Sequence, residues 1–213
     1  MDDLQYILQP PSLPAILEQA APLNFTMASE PKTGALLRVL AASKPAGRML
    51  ELGTGIGVGT AWLLSGMDAA STLVSVDTNF AFQAVAQRAL GSDPRVTFVL
   101  EDAVDYLQRQ LDAPGAHSSS GHPSVVYPTA GGFDLVFADA LRGKFDGLDD
   151  ALAVVKPGGF YIIDDLIPQP SWPEGHGEKI APLITLLAAH PHLHIVPISW
   201  ASGLVVAVKK PAA

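Results

Sequence analysis

The chain has 213 residues, of which 48% are apolar and 16% are charged, and it carries a formal net charge of −8 without a single cysteine. This length suits one α/β domain, and the apolar fraction excludes a disordered chain. An acidic balance with no block of lysine or arginine argues against a nucleic acid as partner, and the lack of cysteine excludes disulfides and thiolate chemistry.

The sequence lacks the patterns that would direct the chain into or across a membrane. No uninterrupted apolar run is long enough to cross a membrane, and the start at Asp2 and Asp3 lacks the positive region of a secretory signal. We therefore expect a cytoplasmic protein without a membrane partner.

The first 45 residues predict two helices punctuated by prolines. Residues 13–20 can form a short helix with Ser12 as its cap, and residues 33–42 carry an apolar face of leucines. Pro45 and Gly47 end the second helix.

From residue 48 onward, strands alternate with amphipathic helices. The predicted strands are residues 48–52, 72–76, 95–100, 133–138, 160–163, 194–198 and 204–208. The predicted helices are residues 57–65, 79–90, 102–111, 145–155 and 178–189, with Pro182 either kinking the last one or marking its first turn. Residues 112–132, rich in Gly, Ser and Pro, predict a flexible insertion.

This alternation predicts a Rossmann-like, doubly wound α/β fold with helices on both faces of the sheet. Only residues 199–203 separate the last two strands, which is too short for a crossover helix. The last strand must therefore run antiparallel to its neighbour, which gives a seven-stranded, mostly parallel sheet in a single domain.

Residues 49–60 read M-L-E-L-G-T-G-I-G-V-G-T, a buried strand followed by a glycine-rich turn and a helix start. Such glycines let a ligand lie against the main chain, and the free N–H groups of the helix start favour electron-rich atoms. The dinucleotide fingerprint needs a third glycine where this chain has Val58 or Thr60, so the spacing disfavours a nicotinamide oxidoreductase.

The spacing from Glu51 through Gly53, Gly55 and Gly57 instead resembles motif I of the class I S-adenosylmethionine-dependent methyltransferases. That cofactor carries an ammonium and a sulfonium, which suit an acid at the strand end. The resemblance implies that S-adenosylmethionine is bound by Glu51 and by residues of the turn, namely Gly53, Thr54, Gly55 and Gly57.

Acids follow each of the five central strands. They are Glu51, Asp77, Asp102, Asp139 and the pair Asp164 and Asp165. Ligands of open parallel sheets bind beyond the carboxyl ends of the strands, and buried carboxylates cost free energy unless they are paired. The row of acids therefore points to a ligand.

The resemblance implies a role for two of these acids in binding the cofactor. Asp77, with Thr78, would accept the ribose hydroxyls, and Asp102, with Ala103, would face the adenine. Either aspartate could also serve as a helix cap, and this alternative stays open.

Residues 133–139 (F-D-L-V-F-A-D), residues 156–159 (K-P-G-G) and the pair Asp164-Asp165 are similar to the small O-methyltransferases of the catechol and caffeoyl-CoA type. In that family the equivalents of Asp139, Asp164 and Asp165 hold Mg²⁺ or Ca²⁺, which lowers the pKa of the acceptor hydroxyls. The resemblance therefore implies that these three acids bind such an ion, with Asp139 also in contact with the cofactor and the reacting groups.

The chain departs from that family at two positions. Arg142 stands where the family has its lysine general base, and Asp165 stands where it usually has asparagine. Arginine cannot act as a base, so Lys144 would have to take this role if the loop allows it.

Two further segments bear on the site. Residues 26–37 resemble the family's N-terminal lid, which makes residues 1–45 a helical lid with Met27 and Ser29 against the cofactor. In residues 164–176, Trp172 offers an aromatic wall for a flat acceptor and His176 is a candidate base. Alternatively, Trp172 only packs the loop and His176 caps the last helix.

The sequence therefore predicts a methyltransferase that transfers a methyl group from S-adenosylmethionine to a small-molecule acceptor, most simply to oxygen. The candidate catalytic residues are Asp139, Lys144 and His176. A non-catalytic S-adenosylmethionine sensor and an aminopropyl transferase of the same fold are the alternatives, and the resemblance is also compatible with a homodimer.

Overall fold

A computed structural model describes residues 3–112, 132–169, 172 and 174–211 of the chain. Within these ranges seven strands form one sheet: β1 (Arg48–Leu52), β2 (Thr72–Asp77), β3 (Val96–Leu100), β4 (Phe133–Ala138), β5 (Val155–Ile163), β6 (Leu193–Ile198) and β7 (Leu204–Lys209). The helices are α1 (Leu13–Ala20), α2 (Pro31–Ala42), α3 (Val58–Gly66), α4 (Phe80–Leu90), α5 (Ala103–Asp112), α6 (Leu148–Ala153) and α7 (Ile180–Ala189). Short 3₁₀ turns lie at Asp3–Tyr6, Ala21–Leu23 and Gly177–Lys179.

The strand order is β3-β2-β1-β4-β5-β7-β6. Strands β1 to β5 pair in parallel, whereas β7 pairs antiparallel with both β5 and β6. The predicted fold class, including the antiparallel last strand, is therefore confirmed. Because the order reverses beside β1, a crevice opens between the carboxyl ends of β1 and β4, where open α/β sheets bind ligands.

Two apolar layers cover the sheet. Buried side chains of α1 to α4 pack on one face, and those of α5 to α7 pack on the other. On the first face Trp62, at 1% exposure, lies so close to α2 that a Cβ at Gly34 would come within 2.3 Å of its ring. The close approach of α2 and α3 therefore requires glycine at position 34, and Trp62 is a core residue.

The structure corrects two local predictions, the start of β5 and the cap of α1, and it decides between the two alternatives for Pro182. Strand β5 begins at Val155, which pairs with Phe133 of β4, so residues 156–159 lie within the strand and the helix before it is shorter than predicted. The Ser12 side chain makes no capping hydrogen bond to α1. Pro182 is the third residue of α7 and so lies in its first turn, where a proline is tolerated.

Some predictions concern the chain outside these elements. The predicted insertion lies outside the described residues, apart from its two ends at Asp112 and Gly132. Nowhere in the described ranges does a helix combine the length and the apolar character that crossing a membrane demands. The homodimer stays a prediction.

Candidate active site

A cavity of about 470 Å³ lies in the crevice beyond the carboxyl ends of the central strands. Its walls include residues 25–30 before α2, residues 53–56 of the glycine turn, Asp77 at the end of β2 and Asn79 after it, residues 139–141 after β4, and Asp164 and Asp165 after β5. Lys144, Trp172, His176 and Ser202 close one end. The topology therefore brings most of the sequence-predicted site residues to one place.

The glycine turn presents bare backbone to this cavity. At Gly53, with φ 103°, a Cβ would lie 2.5 Å from the carbonyl oxygen of Asp139, and at Gly55, with φ 50°, it would lie 2.9 Å from the Phe25 ring. Both positions therefore need glycine for conformation and for space. Gly57 lies off the cavity wall at the N-cap of α3, where a Cβ would meet Ala86 of α4 at 2.6 Å.

Asp77 joins the turn to the end of β2. Its Oδ2 accepts the N–H of Gly55 at 2.8 Å, and its Oδ1 accepts the N–H of Asn79 at 2.7 Å. A carboxylate has about four lone-pair positions, so two remain for a ligand in the cavity. Asn79, not Asp77, caps α4, because its side chain accepts the N–H groups of Ala81 and Phe82. Thr78 is exposed and lies off the wall.

Glu51 lies behind the cavity wall, in contrast to the direct cofactor contact that the sequence predicted. The side chain is 1% exposed, and its Oε2 accepts hydrogen bonds from the hydroxyls of Ser75, at 2.5 Å, and Thr60. Removal from water raises its pKa to about 7, with a further contribution from the charge of Asp77, although the two hydroxyls oppose this rise. The two buried hydroxyls turn this carboxyl group under the glycine turn instead of toward a ligand.

Asp102 and Ala103 also lie away from the cavity, so the adenine contact stays a prediction. Asp102 acts as the N-cap of α5 by accepting the N–H of Val104 at 2.8 Å, and it forms an ion pair with Arg142 Nε at 2.7 Å. Desolvation raises the pKa of Asp102, but these hydrogen bonds outweigh it and leave the pKa lowered. Arg142 is thus a partner of this cap.

The segment before α2 covers the glycine turn. Phe25 packs edge-on against Phe82 of α4, with ring centroids 4.8 Å apart, and Ser29 donates from its hydroxyl to Asp139 Oδ2 at 3.1 Å. Met27 lies on the cavity wall and is 62% exposed. The sequence did not single out Phe25 or Phe82, because nothing near them in the chain marks their meeting across the turn.

The acids after β4 and β5 converge at one end of the cavity. Protein walls that exclude water raise the pKa of Asp139 well above its ordinary value, and the charge of Asp164 raises it further. Desolvation also raises the pKa of Asp164, although hydrogen bonds to its Oδ1 from Ser202, at 2.5 Å, and from the N–H of Asp165, at 2.7 Å, oppose the rise. Ser202, on the β6–β7 hairpin, is a further site residue that the sequence did not mark.

The predicted metal site does not form in this arrangement. Among the described residues, no three His, Asp or Glu side chains come together in a way that could hold a metal ion. Asp165 has φ 63°, and its Oδ1 accepts the indole N–H of Trp172 at 2.6 Å, so it faces Trp172 while Asp164 faces Ser202. Although Asp139 and Asp164 lie near each other, Asp165 turns away toward Trp172, so the three donors that the resemblance implied do not assemble into a site that fits a metal ion.

Lys144 and His176 complete this end of the cavity. Lys144 is 2% exposed and donates from Nζ to the carbonyl oxygen of Asp164 at 2.8 Å. His176 is 4% exposed, and its buried Nε2 has no hydrogen-bond partner among the described residues; Asp165 Oδ2 lies 3.9 Å from it.

Aromatic rings hold His176 in place. Its ring packs against Trp172 and Phe145, with centroids 4.4 Å and 5.4 Å away. The His176 side chain makes no capping bond to the turn that it precedes, which removes the capping alternative. Trp172 does pack the loop, and it also lies on the cavity wall.

Comparisons with known proteins agree with this architecture. A family model described as a methyltransferase domain matches residues 50–166. A provisionally named O-methyltransferase of Mycolicibacterium vanbaalenii is 30% identical over 141 residues, which are 64% of this chain and 54% of the relative. The catechol O-methyltransferase of Niastella koreensis is 28% identical over 141 residues, which are 64% of this chain and 57% of that one. The match thus spans little more than half the length of these curated relatives.

Solved structures share the fold over nearly the whole chain. The O-methyltransferase TomG of Streptomyces achromogenes, solved with S-adenosylmethionine, superposes on this chain with a TM-score of 0.78 at 21% identity. The superposition covers 98% of this chain and 94% of the TomG chain. An O-methyltransferase of Bacillus cereus, solved with S-adenosylhomocysteine, superposes with a TM-score of 0.77 at 21% identity over the same shares.

Proposed function

Since this chain belongs to the methyltransferase domain family, we propose that it transfers a methyl group from S-adenosylmethionine to a hydroxyl oxygen of a small molecule. The observation that carries this proposal is the cavity over Gly53 and Gly55, with the carboxylate of Asp77 at its edge. The O-methyltransferase names of the relatives support oxygen as the acceptor atom.

The residues of the cavity fit this cofactor. A volume of about 470 Å³ lies within the usual size of small-molecule sites. Gly53 and Gly55 line the cavity with backbone that the amino acid portion can approach, and the remaining lone pairs of Asp77 suit a pair of ribose hydroxyls. The rings of Phe25 and Phe82 offer an apolar wall beside them. When bound, the cofactor supplies a methyl group activated by a sulfonium, so the protein mainly aligns the acceptor and excludes water.

We assign the acceptor to the end of the cavity that contains Trp172 and His176. The Trp172 ring provides a flat apolar wall, and its indole N–H is already used by Asp165, which holds the ring in orientation. The unpartnered Nε2 of His176 is the group placed to take the proton of an acceptor hydroxyl. Lys144 is not the base in this proposal, because its amine acts as a donor to the carbonyl oxygen of Asp164.

The segment that contains Phe25 and Ser29 is the proposed lid. It contributes residues 25–30 to the cavity wall and is joined to the floor by the bond from Ser29 to Asp139. The Phe25 ring lies against Gly55, because a Cβ at Gly55 would come within 2.9 Å of it, so this segment covers the part of the turn that the cofactor would contact. We therefore expect the cofactor to order this segment and protect its amide groups from hydrogen exchange.

The test combines ligand binding with turnover. S-adenosylmethionine and S-adenosylhomocysteine should each raise the melting temperature, because both bind the native state, whereas NADH should leave it unchanged. Transfer of a labelled methyl group to small phenols should then be detected by mass spectrometry. If neither S-adenosylmethionine nor S-adenosylhomocysteine binds, the proposal is overturned. If both bind but no methyl group is transferred to any hydroxyl acceptor, the result favours a non-catalytic sensor.

A further inference from the structure

Lys144 is a buried cation with unused hydrogen-bonding capacity at the acceptor end of the cavity. Its residue exposure is 2%, and its amine donates one hydrogen bond, to the carbonyl oxygen of Asp164 at 2.8 Å. An ammonium has three donors, and in the described part of the chain the other two make no hydrogen bond. Because an incompletely paired buried charge costs free energy, this placement points to a ligand atom that carries negative charge.

The acids around Lys144 do not supply that partner. Among the ion pairs of the described ranges none involves Lys144, although Asp139 and Asp164 are near enough for its charge to lower their pKa values against the effect of burial. The Oδ1 of Asp164 is already bonded to Ser202 and to the N–H of Asp165. The ammonium is thus held in place by a carbonyl oxygen while its charge remains available to the cavity.

The same arrangement disfavours a divalent cation. A fixed positive charge in this corner repels a metal ion, and the oxygens that the ion would need face Ser202 and Trp172. A metal ion that activates hydroxyls by chelation binds two neighbouring oxygens of the substrate. An ammonium is a compact point charge and suits a single substrate oxygen.

We propose that Lys144 takes the place of a metal ion, so that the site methylates a single acidic hydroxyl on a flat ring and needs neither a divalent cation nor a vicinal diol. This inference rests on the proposed methyl transfer and specifies its substrate class. The acceptor oxygen loses its proton to Nε2 of His176 and uses the freed electron pair to form the O–CH₃ bond. The pair of the broken S–CH₃ bond stays on sulfur, and Lys144 keeps all its protons while it stabilises the oxyanion.

The direct probe is 4-nitrophenol, whose absorption spectrum reports its ionisation. It is titrated into protein saturated with S-adenosylhomocysteine, in EDTA, at a pH where most of the free probe is neutral. The wild-type protein should bind it as the phenolate and show the phenolate band. Lys144→Met should lose the band, and Lys144→Arg, which keeps the charge, should retain it.

Lys44→Met is the matched control. Lys44 also donates from its amine to a carbonyl oxygen, that of Gly158 at 2.7 Å, but it precedes β1 and so lies at the amino ends of the strands, whereas the cavity lies beyond their carboxyl ends. This variant should keep the phenolate band. Lys144→Met should also keep its affinity for S-adenosylhomocysteine, which shows that the fold and the cofactor end of the site are intact.

Turnover gives a second readout. With EDTA present, wild-type protein should methylate 4-nitrophenol as well as 4-nitrocatechol, and Lys144→Met should lose about a hundredfold in kcat, the usual effect of removing one oxyanion donor. A phenolate band or methyl transfer that appears only with added Mg²⁺, activity confined to the catechol, or a phenolate band that persists in Lys144→Met would each overturn the inference.

Two further outcomes separate this inference from the proposed function. Failure of the wild-type protein to bind S-adenosylhomocysteine contradicts the methyltransferase assignment itself, whereas intact cofactor binding with no ion-free phenol binding contradicts only the role of Lys144. If Lys144→Met does not fold, two other proteins still test the role of Lys144. These are the wild-type protein in EDTA and Lys144→Arg, and the lack of a phenolate band in either one contradicts the inference that Lys144 acts as a built-in cation.

Discussion

The backbone N–H of Gly55 donates to Oδ2 of Asp77 over 2.8 Å and joins the glycine turn to the end of β2. The other carboxylate oxygen of Asp77 accepts the N–H of Asn79, the residue that caps α4. One side chain therefore positions two walls of the cavity and still presents free lone pairs to it.

Replacing Asp77 by asparagine keeps the shape of the side chain and removes its charge. Hydrogen bonds to charged groups contribute about 1.5–3 kcal/mol, so we expect S-adenosylhomocysteine to bind roughly tenfold to a hundredfold more weakly. Isothermal titration calorimetry measures this change. Asp105→Asn, on the exposed face of α5, is the matched control and should bind like the wild-type protein. An unchanged dissociation constant in Asp77→Asn would show that the ribose does not reach this carboxylate.

Glu51 makes stability depend on pH. Its pKa is raised from 4.5 to about 7 in the folded state because burial disfavours its charged form. The stability that the protonated group contributes is fully present below pH 4.5 and is lost as the pH rises through about 7. At about 1.4 kcal/mol per pKa unit, the loss amounts to roughly 3 kcal/mol.

Glu51→Gln cannot ionise, and its amide oxygen can still accept from Ser75 and Thr60. The free energy of unfolding of this variant, minus that of the wild-type protein, should therefore increase from pH 5 to pH 8. Urea unfolding measures this difference. Glu18→Gln, on the exposed side of α1, should show no such trend. Because Glu51 lies behind the wall, Glu51→Gln should weaken S-adenosylhomocysteine binding less than Asp77→Asn does. A difference in unfolding free energy that does not vary with pH would rule out the raised pKa.

A Cβ at Gly53 should disturb both the fold and the cavity. It would approach the carbonyl oxygen of Asp139 to 2.5 Å in a conformation with φ 103°, so either the turn or the end of β4 must shift. Overpacking of this kind costs about 1–3 kcal/mol, beyond the strain of a positive φ. We expect Gly53→Ala to lower the melting temperature and to weaken S-adenosylhomocysteine binding.

Gly158→Ala separates backbone strain from the clash. Gly158 also has a positive φ, of 76°, but a Cβ there would meet no atom within 4 Å. This variant should lose some stability and keep full affinity for the nucleoside. Equal losses of affinity in both variants would mean that the close approach at Gly53 does not shape the binding site.

The sequence predicted the fold because the information it needs is local. Alternating strands and helices, together with a five-residue connection before the last strand, leave few topologies for the sheet. The start of β5 was missed because Val155 extends the strand only by pairing with Phe133, more than twenty residues earlier in the chain. Local signals at Pro157 and Gly158 favoured a loop there, and tertiary pairing overrode them.

The sequence predicted where the candidate site lies, but it did not predict the direction in which each acidic side chain points. Asp77 ends strand β2 and lines the cavity, as its position in the sequence predicts. The direction of Glu51 depends on Ser75, which lies 24 residues away on another strand, and that of Asp164 depends on Ser202, which lies 38 residues away. Sequence spacing does not reveal such partners, so the sequence predicts that all of these acids face the ligand, whereas Glu51 and Asp102 do not line the cavity.

His176 should determine the acid limb of the rate profile. Desolvation and the nearby charge of Lys144 lower its pKa below 6.5, with Lys179 acting in the same direction and Asp165 opposing them. A base must be neutral, so the methyl-transfer rate of the wild-type protein should fall only as the pH drops below 6.5. His176→Gln should lose about a hundredfold or more in kcat and should lack this limb, as measured with 4-nitrophenol from pH 5 to pH 8. His194→Gln, on the exposed side of β6, should retain both the rate and the limb. An unchanged acid limb in His176→Gln would transfer the role of base to another group, since a purely structural histidine cannot set the pH dependence of the chemical step.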